Sequence, residues 1–312
     1  MPMSAAPLLE VAEPLPAASG RPSVLRKVLR NLSVRLGGGL ILIVTLVALL
    51  APWLGTIDPN AIDPGSANQL PGASVQYHSL DGRVFPHMFA MGSDSLGRDI
   101  WSRAAYGARV SISIAIAVAA FSLIGGITVG LIAGYFRRAD GVLMRVMDGM
   151  MAIPSILFAI CLVAMAGASM LTVTIAIALP EVPRVARLVR SVVLSLREEA
   201  YVEAAVALGT PAWKILLRHI LPNAVAPLII QGTYIGATAI LLEAIMSFLG
   251  VGLPADMATW GNLMAEGRSQ FNQYPHNVLL PGALLAMTVF AVNILGDGLR
   301  DTLDPKFNKR EG

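Results

Sequence analysis

Five stretches of this chain run without a single Asp, Glu, Lys or Arg: residues 36–57, 110–136, 149–180, 220–242 and 269–296. A helix needs about 20 apolar residues to cross a hydrocarbon core roughly 30 Å thick, so each stretch is long enough to span. The third is too long for one crossing. It divides at Gly167-Ala168-Ser169 into a hairpin of two helices whose outer halves reach into charged turns. The expected architecture is all-α and polytopic, with six transmembrane helices near 37–54, 110–135, 143–165, 170–190, 223–248 and 279–297. Only 14% of residues are charged and 55% are hydrophobic, against roughly 25% charged in an average soluble domain. That excludes most soluble enzymes and, equally, a disordered chain.

Six spans put both termini on one side of the membrane, and the placement of Lys and Arg identifies that side. Eighteen of the 23 basic residues fall on the side of the termini, in the N-terminal tail, 137–145, 184–218 and the C-terminal tail. The other five are Arg83, Arg98, Arg103, Arg109 and Arg268. The reading is N-in/C-in, a multi-pass membrane protein. The net charge of +3 thus reports topology and gives no reason to expect nucleic acid as a partner. Residues 1–36 read as a disordered cytoplasmic tail, 37–54 as the first anchor helix and 55–109 as an external, turn-rich loop. Residues 110–300 form the core domain, and 301–312 a second cytoplasmic tail. The single Cys161 forms no internal disulfide.

Gly126-x3-Gly130-x3-Gly134 aligns three glycines on one face of the second span, and Gly232-x3-Gly236 does the same on the fifth. Such faces mark close helix packing in lipid. Ionisable groups at membrane depth carry functional interest. A carboxylate at mid-span costs roughly 2.5–3.5 kcal/mol on insertion scales. Glu243 is the one such group in the fifth span, facing either a pathway or the external interface. Asp148 and Glu181 are placed to pair with Arg145 and Arg184. Met147 and Met151 belong to a methionine cluster that packs or lines a gate. None of the four lysines follows a glycine, so no Walker A loop exists here. H-E-x-x-H and G-x-S-x-G are also missing. The run Asp94 to Asp99 reads as a turn held by local Asp hydrogen bonds rather than a calcium loop. No catalytic residues, metal ligands or cofactor-binding residues emerge.

The most informative segment lies between the fourth and fifth spans, at 197–222. Residues 197–208 are helix-prone, and Gly209 follows where a positive φ is easy. Thr210 can cap a second short helix with Pro211 at its first position, running to Pro222. Ala204 and Ala205 form a small-residue patch that another protein surface could approach.

Glu203-Ala204-Ala205-x3-Gly209 with Leu221-Pro222 resembles the EAA loop of ABC-importer permeases, although His219 stands where an Ile is expected. Met91 to Arg103 with Tyr106 to Arg109, Ser247 to Gly252 with Trp260-Gly261, and Gly296 to Pro305 are similar to further signatures of the dipeptide/oligopeptide/nickel permease family, C-type subunit. The resemblance implies a type I ABC-importer permease fold in a bacterial cytoplasmic (inner) membrane. Its implied partners are a homologous B-type permease forming a heterodimer, two cytoplasmic ABC ATPases and an extracytoplasmic solute-binding protein. ATP and Mg would sit on the ATPases and no cofactor on this chain. It further implies that Glu203, Ala204, Ala205, Gly209, Leu221 and Pro222 couple the chain to an ATPase. The competing reading is an ion-coupled secondary transporter using Glu243 or Asp148.

Overall fold

The computed structural model describes residues 24–303. Of the tails expected at 1–36 and 301–312, residues 1–23 and 304–312 lie outside the described residues. The expected tail does not extend to residue 36, because α1 (Val24–Arg30) and α2 (Leu32–Leu50) are already helical. Asn31 starts α2, its side-chain oxygen accepting from Ser33 N at 2.8 Å and Val34 N at 3.3 Å. That cap satisfies donors that a helix start leaves free.

After α2 the chain is external to the bundle until residue 99 and departs from an all-α architecture. β1 (Ala73–His78) and β2 (Val84–Phe89) pair antiparallel, from Ala73 opposite Phe89 to His78 opposite Val84. Alternation decides this. Tyr77 and Phe89 are buried on one face with Phe85 and His87, while Ser74, Gln76 and Met88 face out. The rings of His87 and Phe89 meet edge to face at 5.0 Å.

α3 (Ile100–Tyr135) begins ten residues before the span expected at 110, because Asp99 caps it through Trp101 N and Ser102 N. α4 (Arg137–Met151) and α5 (Ser155–Ala166) are two helices bent by 85°, where one span was expected at 143–165. Pro154 supplies the reason: it has no N–H to give and forces its predecessor out of the α region. Gly167, at φ +86°, and the Ser169 cap then turn the chain into α6 (Met170–Ala178). A 3₁₀ turn at Leu179–Glu181 leads to α7 (Val182–Leu196). Next come α8 (Ala200–Ala207), a single turn α9 (Ala212–Lys214), α10 (Leu221–Phe248), α11 (Trp260–Gly267) and α12 (His276–Leu303).

Four of these segments are long and apolar enough to cross a membrane, at Leu32–Trp53, Ile100–Tyr135, Ala212–Phe248 and His276–Leu303. The bent α4–α5 pair makes a fifth if it is one span. The sixth expected span, 170–190, is the interrupted α6–α7 unit, whose second half carries Arg184, Arg187 and Arg190.

The core is built where helices come closest. Gly126, Gly130 and Gly134 of α3 lie against Val185, Ala186, Val189 and Val193 of α7. A β-carbon at Gly134 would fall 2.6 Å from Val193 Cβ. Gly37 of α2 lies equally close to Ala291 and Leu295 of α12, and Gly298 of α12 to Val34. Gly232 and Gly236 differ from expectation. Gly232 would touch only the end of Leu123, and Gly236 nothing within 4 Å. Both instead border an apolar crevice of about 320 Å³ between α2, α3, α10 and α12.

Candidate functional site

The segment joining α7 to α10 is a small, firmly hung structure. α8 ends in a Schellman turn, with Thr210 N–H donating to the Ala205 carbonyl at 3.0 Å and Gly209 N–H to Val206 at 2.9 Å. That turn needs a left-handed residue. Gly209 supplies it at φ +75°, with open space where a side chain would be. Thr210 is not a cap; Pro211 takes the N-cap position of α9, and no side chain caps it. Nor does the second helix stop at Pro222. Residues Ile215–Ile220 wind as a π-helix directly into α10, leaving Pro222 in the first turn of α10. The wider winding comes just before a residue with no N–H to continue the α ladder.

Burial divides the segment into two faces. Val202 and Ala205 turn inward with Ile215, Leu216 and Ile220, all in the main apolar core. Glu203, Ala204, Val206 and Leu208 turn outward, Leu208 with 86% of its surface exposed. Ala204 and Ala205 therefore do not share one open patch, since residues one apart on a helix face different ways. Tyr201 ties α8 to the foot of α10. Its hydroxyl accepts from Asn223 Nδ2 at 3.4 Å, and the same amide donates to the His219 carbonyl at 2.7 Å. Leu221 is half-buried and Pro222 exposed. No motif in the sequence points to Tyr201 and Asn223, because the contact joins residues 22 apart.

At the opposite end of the bundle four charges form a closed cluster. Asp94 accepts from Arg98 Nε at 2.6 Å and from Arg103 at 3.0 Å, while Glu266 accepts from Arg98 at 2.6 Å and Arg103 at 2.9 Å. Arg103 is fully buried. Asp94 also receives Leu96 N and Arg98 N, which makes the run 94–99 the Asp-held turn expected for it. The cluster fastens the loop between α2 and α3, and the start of α3, to α11. The spacing of Asp94, Arg98 and Arg103 is legible in sequence, but Glu266 joins from more than 160 residues away. Burial pushes the Glu266 carboxyl up, and the two arginines oppose that without cancelling it.

The remaining candidates are scattered. Glu243 is fully buried: its Oε1 accepts from Ser247 Oγ at 2.9 Å, where α11 packs on α10. Met147 is buried, and Met151 is exposed beside the α4–α5 bend. Asp148 pairs with Arg187 at 2.6 Å rather than with Arg145, since α4 lies along α7, whereas Glu181 does pair with Arg184 at 2.8 Å. Among the described residues no group of three His, Cys, Asp or Glu could hold a metal.

The chain as a whole is similar to known membrane transport proteins. Residues 126–309 match the family described as binding-protein-dependent transport system inner membrane component. The chain is 42% identical, over 98% of its own length and all of the relative, to a putative peptide transport system permease protein of Brucella abortus. It is 43% identical to the dipeptide transport system permease protein DppC of Alkalihalophilus pseudofirmus, over 86% of this chain and 84% of the relative. To the oligopeptide transport system permease protein OppC of Bacillus subtilis it is 35% identical over the same shares. In fold it resembles a chain of the inward-facing MetNI methionine ABC transporter. The TM-score is 0.51 at 17% identity, covering 63% of this chain and 94% of that one.

Proposed function

The chain belongs to the binding-protein-dependent transport system inner membrane component family, and from that premise we propose that it is one permease subunit of an ABC importer for di- or oligopeptides. It pairs with a homologous permease in a bacterial inner membrane, N-in/C-in, to enclose the pathway. Two ATPases dock on the cytoplasmic side and hold ATP and Mg, while a solute-binding protein delivers peptide from outside. The chain itself catalyses no reaction.

The observation that carries the reading is the two-faced α8. Its inner face is locked into the core and its outer face, with Glu203, Ala204 and Leu208, has no partner within the described chain. Exposed leucine and valine beside a carboxylate suit a protein groove with a basic rim. Force applied to α8 has two rigid outlets: the Val202 and Ala205 anchors, and the Tyr201–Asn223 link into α10. Closure of the ATPases would therefore move α10 with α8 as one body, a rigid-element transmission rather than a local rearrangement. The peptide assignment rests on the named relatives, whose identities of 35–43% extend over most of the chain.

The test is peptide uptake, with the chain's membrane level measured alongside. Glu203→Lys and Gly209→Pro should abolish uptake while insertion persists. Uptake at the wild-type rate in both variants refutes the coupling role.

A further inference from the structure

α12 carries an unpartnered seam that changes character along its length. Leu279, Phe290 and the alanines at 283 and 286 are exposed along its first part. The same seam continues as Asn293, Asp297 and Arg300, also exposed. The depth of that change can be read from contacts. The charge-free stretch of α2 begins just after Arg35. Gly37 packs on Ala291 and Leu295, Gly298 on Val34, and Gly296 on Thr233 of α10. The hydrocarbon boundary at this end thus crosses α12 near residue 295 and α10 near 233. Asp297, Arg300 and Gln231 lie at headgroup level, with Asn293 and Tyr234 within a turn of it.

There a cleft of about 200 Å³ opens between α10 and α12. Gly296 forms its floor, so close to α10 that a β-carbon would come within 2.6 Å of Thr233 Oγ1. Six polar side chains border it: Gln231, Thr233, Tyr234, Asn293, Asp297 and Arg300. Among the described residues Asp297 and Arg300 form no ion pair with each other or with any third group. A water-filled solute path would need polar lining through the depth of the bilayer, whereas this seam is apolar until it reaches the boundary. That pattern fits an amphiphile with its chains along Phe290 and its head in the cleft. The charges specify the head. A cation alone would favour an anionic lipid, but Asp297 beside Arg300 repels a purely anionic head and attracts an ammonium.

We propose that this cleft binds the headgroup of a zwitterionic aminophospholipid, its phosphate on Arg300 and its ammonium on Asp297. Tyr234 and the Gln231 and Asn293 carboxamides donate to the phosphate and ester oxygens. The site depends on the chain lying in a bilayer and not on what it transports; N-in orientation would put it in the inner leaflet.

The test uses the full chain, purified with whatever subunits accompany it, delipidated in detergent and titrated with phosphatidylethanolamine or phosphatidylglycerol of identical acyl chains. Bound lipid is counted by native mass spectrometry. The ethanolamine lipid should bind about tenfold more tightly, the worth of one charge-assisted contact. Asp297→Asn should bring the two lipids to parity, and Arg300→Ala should weaken both. Equal binding of the two lipids by the wild type overturns the proposal. So does displacement of the lipid by a soluble dipeptide, which would assign the cleft to solute. If Arg300→Ala fails to assemble, Asn293→Ser and Asp297→Asn decide it, and wild-type affinities for both lipids in both variants overturn it.

Discussion

Gly130 of α3 and Val189 of α7 are packed so closely that a β-carbon on the glycine would lie 2.6 Å from Val189 Cβ and 2.6 Å from the Ala186 carbonyl oxygen. The obstacles are the branch point of a stiff side chain and backbone, neither of which can swing away. Gly130→Ala should therefore destabilise by about 1–3 kcal/mol, the usual cost of overpacking. Gly236→Ala should do the opposite. It is mid-helix with nothing within 4 Å, so the added helix propensity contributes up to about 1 kcal/mol. Thermal unfolding of the two purified variants in one detergent checks the contrast; equal shifts would refute the packing account.

Removing one member of the four-charge cluster at the start of α3 leaves an uncompensated buried charge. Glu266→Ala leaves Asp94 alone to balance Arg98 and the fully buried Arg103, and should cost about 3–5 kcal/mol, as breaking buried pairs does. Asp81→Ala removes an ion pair with Arg83 on the hairpin turn, where both side chains are exposed, and should leave the Tm unchanged. A Tm loss of similar size in both would show that the cluster is no tighter than a surface pair.

Asp63 makes the loop between α2 and α3 acid-sensitive. Burial pulls its carboxyl upward, but hydrogen bonds from the Ser66 hydroxyl and from the His78 and Gly65 N–H groups outweigh it, holding the group below 3.8. A folded-state pKa below the unfolded one gives stability that is complete above 3.8 and lost as pH falls through the folded value. Asp63→Asn should lower the Tm at neutral pH and flatten its decline on acidification below about pH 4. Parallel acid limbs in the two proteins would rule Asp63 out as the titrating group.

Glu243 separates the transport mechanisms. It is buried and bonded to Ser247 at the α10–α11 contact, where Gln can replace it with the same shape. Peptide uptake in Glu243→Gln cells should stay within about twofold of wild type, a change of under 0.5 kcal/mol in rate terms. Dissipating the proton gradient while ATP is maintained should also leave uptake intact. Collapse of uptake in either experiment would favour ion coupling.

Leu208 tests the outward face of α8. At 86% exposure it supports nothing within the chain, so Leu208→Asp should leave the Tm unchanged. It should nonetheless reduce peptide-stimulated ATP hydrolysis by the assembled complex about tenfold, roughly the loss of one buried leucine at an interface. Undiminished stimulation would remove Leu208 from the docking surface.

Residues 126, 130 and 134 show what local spacing makes readable. Three glycines four apart must share a helix face, so their role as a packing surface could be stated before α7 was known to fill it. Gly232 and Gly236 have the same spacing and border a crevice instead, because spacing says which face they occupy and nothing about what lies opposite. The Asp94–Asp99 turn and the Gly209 reversal were likewise legible, since Asp capping and a positive φ are settled within a few residues. The β-hairpin was not anticipated, its alternation being short and set among turn residues.

The chain alone determined that it must cross a membrane, roughly where, and which segment stands exposed between α7 and α10, because hydrophobic length and backbone chemistry act within tens of residues. Tertiary structure decided that Glu266 completes the cluster begun by Asp94, that Ala205 faces inward while Ala204 faces out, and that Tyr201 binds α8 to α10. Each depends on which elements meet, and those contacts are set by the packing of the whole bundle rather than by any stretch of sequence.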